Sequence, residues 1–179
     1  MAKYEALPTI SLQPNHTQLQ TLQLPELVHL DDPALSILID FTKTPPHTIT
    51  PEDTLDHAIH EMEASGAHLL LVINKEGYFQ GIISAEDLWG EKPIKLIQER
   101  RVHRDQLFVK MIMAPHSQII ALDFSLLKNA CVGHIVKTLS QHHKHYALVV
   151  NPSADNASHS IHGVFTLSQI SKQLHMDLG

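Results

Sequence analysis

Cysteine is almost missing from this chain. Cys131 is the only one among 179 residues, which excludes an intramolecular disulfide framework and a cysteine-pair metal site. Aromatic residues make up 5 %, and Trp89 with the three tyrosines offers no stacking platform for single-stranded nucleic acid. Positive charge is also short: 13 Lys and Arg stand against 19 Asp and Glu, a net charge of −6, which argues against wholesale nucleic-acid binding. No stretch approaches the roughly 20 apolar residues of a membrane span. The beginning, Met-Ala-Lys-Tyr-Glu-Ala-Leu-Pro, lacks the apolar run of a signal peptide. Catalytic signatures are missing too, with no G-x-S-x-G elbow, P-loop or supported acid pair. Cys131 lies near the start of an amphipathic segment, where a helix dipole can activate a thiol, but it reads better as a packed small residue. A soluble, cytoplasmic, non-enzymatic protein is the expectation.

Histidine, by contrast, is frequent, at 15 residues. His142, His143 and His145 fall at a helix end and a strand start. His57 and His60 are three apart on the polar side of a helix. Helical two-histidine metal sites use i, i+4 with a third ligand elsewhere, so no metal site is expected. Lys144 with His143 and His145 can present positive charge to a phosphate. Arg100, Arg101, His103 and Arg104 form a small basic cluster, read as a solvated face or a phosphate contact.

Residues 1–34 differ from the rest. Pro8, Pro14 and Pro25 forbid a long helix, while Leu7, Leu12, Leu19, Leu22, Leu24, Leu27 and Leu30 are too many for a plain solvated tail. The segment reads as an extended arm on a folded body, its own or a partner's, or as a partly ordered tail. Asp32-Pro33 reads as a helix start, with Ala34, Leu35, Leu38 and Ile39 facing inward and an end near Phe41. Residues 47–49 form a short lead-in strand. Thr50-Pro51-Glu52-Asp53 reads as another helix start. Leu55, Ala58, Ile59 and Met62 give that helix one apolar face, and Gly66 is its stop. Leu69–Ile73 has the length of a buried strand, 74–77 form a turn, and 79–83 complete a hairpin. At 81–89 the strand ends in a polar corner. Ser84 takes the N-cap place and Asp87 follows as the acidic partner of a capping box. Free N–H groups, a hydroxyl and a carboxylate then share a small volume. That suits an anion or a pair of ribose hydroxyls, and equally a plain helix cap. Residues 91–107 are charged and read as a connector with some helix.

The pattern then returns. Val132, Ile135, Val136 and Leu139 lie 77 residues after Leu55, Ala58, Ile59 and Met62, in the same register. His145 matches His68, the strand at 147–150 matches 70–73, and Asn151 matches Asn74 at the same offset. The hairpin loop at 152–162 is five residues longer, after which 163–170 matches 81–88. Residues 119–122 are the second lead-in strand, and the loop at 123–130 is also longer. A unit of this kind cannot bury both faces of its own sheet, so the two copies are expected to pack together.

The ordered set resembles the tandem CBS-domain pair, or Bateman module, named for cystathionine β-synthase. It is similar in particular to stand-alone bacterial CBS-pair proteins with no enzyme or transporter attached. The residues that carry this are Thr48-Ile49-Thr50-Pro51-Glu52-Asp53-Thr54-Leu55, Ala58 and Met62, the strand Leu70 to Ile73, and Gly81-Ile82-Ile83-Ser84-Ala85-Glu86-Asp87-Leu88. Val109-Lys110-Met111-Ile112-Met113-Ala114-Pro115 looks like the family's segment before a motif. The resemblance spans about 36–175. It implies an α/β (α+β sandwich) fold of two β-α-β-β-α motifs packed by pseudo-twofold symmetry. The arm would occupy 1–34, the first CBS motif 35–98, a linker 99–107, and the second motif 108–176. It further implies two clefts for an adenosyl small molecule such as AMP, ADP, ATP or S-adenosylmethionine, and a disc-like homodimer. No cofactor, nucleic-acid partner or membrane partner is implied, and the downstream protein partner is left unnamed. By this resemblance Asp87 holds ribose hydroxyls and Ser84 a phosphate or ribose oxygen. Thr48, Ile49, His68 and Leu69 line the adenine pocket, and Ile120, His145, Tyr146 and Thr166 are the residues carried over to the second motif. Gln169 stands where the second motif should have Asp. It can still cap a helix but lacks anionic acceptors. The expectation is therefore one good site around Asp87 and one degenerate or empty cleft, with the arm and the 152–162 loop as output surfaces. The alternative is a ligand-free dimerisation or protein-interaction scaffold.

Overall fold

The structure, a computed structural model, describes Pro8, Ser11 and residues 27–154 and 158–174. In chain order its elements are β1 (Ile39–Asp40), β2 (Thr48–Ile49), α1 (Leu55–Ser65), β3 (Leu69–Ile73), β4 (Phe79–Ser84), α2 (Ala85–Trp89), α3 (Lys92–Arg100), α4 (Val109–Ile112), β5 (Ala114–Pro115), β6 (Ala121–Asp123), α5 (Val132–Gln141), β7 (Tyr146–Pro152), β8 (His159–Thr166) and α6 (Leu167–Leu174), joined by short 3-10 turns. They build two four-stranded sheets, ordered β2-β3-β4-β5 and β1-β8-β7-β6. No described helix is long and apolar enough to cross a membrane.

The uninterrupted apolar run Leu69–Ile73 is explained by burial on both faces, since side chains alternate along a strand. Leu70 and Val72 turn toward α1 and share a core with Leu55, Ala58, Met62 and Ile83. Leu71 points the other way and meets Ile82, Leu148 and Val164 in a layer between the two sheets. The second unit repeats this, with Ala147 and Val149 against Val132, Ile135 and Leu139. Even the irregularities repeat: both hairpins shift register at matching places, Val72/Ile73 and Val149/Val150.

One edge strand of each sheet is exchanged. β1 pairs antiparallel with β8 of the second unit, and β5 pairs antiparallel with β4 of the first. Ala34, Ile37 and Leu38 accordingly lie in the second core, and Leu107, Val109 and Ile112 in the first. Each core thus draws in a segment that precedes the other unit in sequence. Of the arm, Val28 is buried in the second core of its own chain, and its N–H donates to the Gln173 carbonyl. Apart from Pro8, Ser11 and 27–34, the arm lies outside the described residues.

Several local expectations are corrected. Asp32-Pro33 does not open an α-helix to Phe41. A single 3-10 turn, Ala34–Ile37, precedes β1 with no side-chain cap, because Ala34 N–H is drawn to the Ala130 carbonyl. Asp32 instead accepts from His29 N–H at 2.8 Å. The helix expected from Thr50 begins one turn later, capped by Thr54, which accepts from His57 N–H. Residues 51–53 are tied down by Val109 N–H to the Asp53 carbonyl and Lys110 N–H to the Pro51 carbonyl. The second lead-in strand begins at Ala121, not Ile119. Gly66 does end α1, at φ 70°, the left-handed conformation glycine adopts without penalty.

Candidate functional site

The two polar corners face each other across the pseudo-twofold. β4 ends at Ser84 because the capping box takes over the hydrogen bonding there. Ser84 Oγ accepts from Asp87 N–H at 3.2 Å, and Asp87 Oδ2 accepts from Ser84 N–H at 3.0 Å and from Ser84 Oγ–H at 2.9 Å. At the second corner Thr166 Oγ1 accepts from Gln169 N–H at 3.3 Å. The junction that leads into each unit's first hairpin strand is equally matched. Ala85 N–H donates to the His68 carbonyl and Leu167 N–H to the His145 carbonyl.

This symmetry gathers six of the residues singled out in the sequence: His68, Leu69, Ser84, His145, Tyr146 and Thr166 surround one cavity of about 320 Å³. Glu86 also lines it, and its Oε1 lies 3.7 Å from His145 Nδ1 of the other unit. Burial, with the carboxylates of Asp87 and Glu86 nearby, pushes the Tyr146 phenol up to about 12. The phenol is therefore a neutral hydrogen-bonding group near neutral pH.

A second cavity of about 280 Å³ adjoins the first, sharing His68, Leu69, Thr166 and Ser168 with it. Its apolar walls come from Ile39, Phe41, Pro45, Pro46 and Val164, and Gln169 closes the polar side. The two form one cleft on the Gln169 side of the pair, with a flat apolar end and a polar end at the dyad.

Asp87 belongs to neither cavity. Its side chain is 9 % exposed, and its second oxygen is held by Lys92 Nζ from the start of α3. The carboxylate expected to meet a ribose is thus occupied from within the chain. Thr48 and Ile49 sit elsewhere. Ile49 is buried in the first core, and both border a third cavity beside Asp53, His57 and Glu61. Ile120 packs against the second core, and its carbonyl accepts from Leu148 N–H. Phe41, Pro45, Pro46 and Gln169 were not among the residues singled out as lining a pocket. The signal for Pro45 and Pro46 was the Pro-Pro pair itself, a rigid stretch that cannot continue a helix, and for Gln169 its place matching Asp87 in the repeat.

Around the third cavity, His57 lies between two carboxylates, with Nδ1 at 3.0 Å from Asp53 and Nε2 at 3.5 Å from Glu61. The hydrogen bond to Asp53 raises the His57 pKa; burial opposes it, and the negative charges of Asp53 and Glu61 add to the rise. Burial works against ionisation of Asp53, but hydrogen bonds from Thr50 and His57 outweigh it and lower its pKa. Among the described residues no group of three or more His, Cys, Asp or Glu side chains is arranged to hold a metal ion.

Residues 38–88 match the family model of the CBS domain. A search of curated proteins finds no significant match. Solved structures with the same fold include a conserved protein from Pyrococcus horikoshii, at TM-score 0.58 and 18 % identity, covering 85 % of this chain and 98 % of that one. A hemolysin-like CBS-domain protein of Oenococcus oeni PSU aligns at TM-score 0.55 and 16 % identity over 81 % and 91 %. CBSX2, solved in complex with AMP, aligns at 0.51 and 17 % over 79 % and 94 %.

Proposed function

From a chain that carries a CBS domain at 38–88 and repeats its fold once, we propose a non-enzymatic regulatory module that binds an adenosine-containing small molecule between its two units. The observation that carries this reading is the joined cleft. Its far end has flat apolar walls at Phe41, Pro46 and Val164, suited to a planar base, and hydroxyl and amide groups follow at Thr44, Thr166 and Gln169. Both units and an exchanged strand contribute to it. A ligand seated there favours one arrangement of the pair over others, and its differential affinity sets the size of the response. The AMP complex of CBSX2 supports the ligand class by likeness of fold alone. Pairing of two such chains into a disc is the assembly the family implies, and a single-chain mass by light scattering would remove it.

The test uses Ser168, an exposed residue that lines both cavities. A ligand that binds only the folded chain stabilises it by about 2.7 kcal/mol at a hundredfold excess over its dissociation constant. Adenosine, AMP, ADP, ATP or S-adenosylmethionine should raise the melting temperature of the wild type and leave Ser168→Trp, with its cleft filled, unmoved. Absence of a shift with every compound would return the chain to the scaffold reading.

A further inference from the structure

Resting on that reading of the cleft, we infer that the site takes an uncharged or cationic adenosine derivative, and that phosphate groups add no affinity. Among the described residues lining the two joined cavities there is no lysine and no arginine, and Glu86 is the only Asp or Glu. Phosphate is recognised by guanidinium or ammonium groups and by free N–H groups at helix starts. No guanidinium or ammonium lines the cleft; the imidazoles of His47, His68 and His145 do, and His145 already faces the Glu86 carboxylate. Lys92, the cation at the Ser84 corner, is held by the buried Asp87 carboxylate. Two of the first three N–H groups of each facing helix are already committed. Ala85 and Leu167 donate to the His68 and His145 carbonyls, and Asp87 and Gln169 donate to the capping hydroxyls. Lys144 precedes His145 in sequence yet lines neither cavity.

What remains suits the nucleoside. Gln169 offers both a donor and an acceptor to a pair of ribose hydroxyls without a charge, where a carboxylate would offer acceptors only. At the polar end Glu86 projects into the first cavity with its side chain 70 % exposed. A polyphosphate extended toward the dyad meets that carboxylate, whereas the sulfonium of S-adenosylmethionine is attracted to it.

Calorimetric titration of the full chain with adenosine, AMP, ATP and S-adenosylmethionine tests this. Adenosine should bind at least as tightly as AMP and ATP, and S-adenosylmethionine more tightly than ATP. In Glu86→Lys, a change at an exposed position, ATP should gain on adenosine by about threefold or more, the range of a screened surface charge pair. AMP or ATP binding more than about threefold tighter than adenosine in the wild type overturns the inference and leaves the adenosyl site standing. An unchanged ratio of ATP to adenosine affinity in Glu86→Lys also overturns it. Failure of all four compounds to bind removes the functional reading itself.

Discussion

Gly163→Ala tests the exchanged strand that walls the cleft. Gly163 lies in β8 opposite Asp40 of β1. A β-carbon there would overlap the Ile39 carbonyl oxygen and come to 3.0 Å from Leu38 Cδ1. The obstructing oxygen is backbone and has no rotamer to escape into, so β1 must move as a whole. Overpacking of this kind costs about 1–3 kcal/mol, and a weakened ladder hydrogen bond adds about 1 kcal/mol, for a total of about 2–4 kcal/mol. For a chain of this size each kcal/mol lowers the melting temperature by roughly 2–4 °C, so a mid-range loss of 3 kcal/mol corresponds to a fall of roughly 6–12 °C. Differential scanning calorimetry of Gly163→Ala beside Gly77→Ala separates this effect from general glycine effects. Gly77 has φ 88° but open space around it, so its substitution costs only the left-handed strain, about 1–2 kcal/mol. Because Ile39 and Phe41 line the cleft, Gly163→Ala should also weaken any adenosyl ligand. A melting temperature within about 2 °C of the wild type, less than 1 kcal/mol, would refute the strand exchange as the reason for glycine here. Gly81, whose β-carbon would overlap the Ala114 carbonyl oxygen at the other crossing, should behave alike.

Asp87→Ala should destabilise the chain by about 1–3 kcal/mol, through the lost cap and the buried acceptor, while leaving the affinity for adenosine within about twofold, under 0.5 kcal/mol. Chemical denaturation and calorimetry on one preparation check both halves, and a large loss of affinity at unchanged stability would return Asp87 to the ligand. Lys92→Met frees the Asp87 carboxylate and should make Asp87 accessible to ligand beside Ser84, read as a second binding event in the titration. The Asp53–His57 pair gives a pH signature. The raised His57 pKa contributes stability below its ordinary value near 6.5 that is lost as the pH rises through the folded value. The lowered Asp53 pKa contributes stability above about 4 that is lost as the pH falls. The advantage of wild type over His57→Ala should therefore peak between about pH 4 and 6.5 and fade in alkali. It should amount to a few tenths of a kcal/mol, since both groups meet solvent. A melting-temperature difference that grows above pH 8 would contradict the assignment.

The CBS fold was readable because its signals are local. The helix face Leu55, Ala58, Met62 follows from periodicity and the strand Leu69–Ile73 from the length of its apolar run, and the same helical pattern at Val132, Ile135 and Leu139 exposes the repeat. The capping box at Ser84 and Asp87 is likewise a matter of residues three apart, and it formed as spaced. The helix starts at Asp32 and Thr50 misled for the opposite reason. There, backbone partners at Ala130 and at Val109 and Lys110, far along the chain, outweighed a favourable cap and a proline.

The candidate site divides the same way. Residue type and spacing alone determined that a hydroxyl, a hairpin end and a histidine would recur in each unit, and pseudo-symmetry then brought His68, Ser84, His145 and Thr166 around one cavity. Which corner stays open was decided only in three dimensions. Lys92 reaches back from α3 to satisfy Asp87, while β1 crosses to the second sheet and lays Ile39 and Phe41 along the Gln169 side. Neither follows from periodicity. A buried carboxylate takes whichever cation the tertiary fold brings within reach, and an exchanged strand is held by backbone hydrogen bonds, which carry no mark in the side chains that make them.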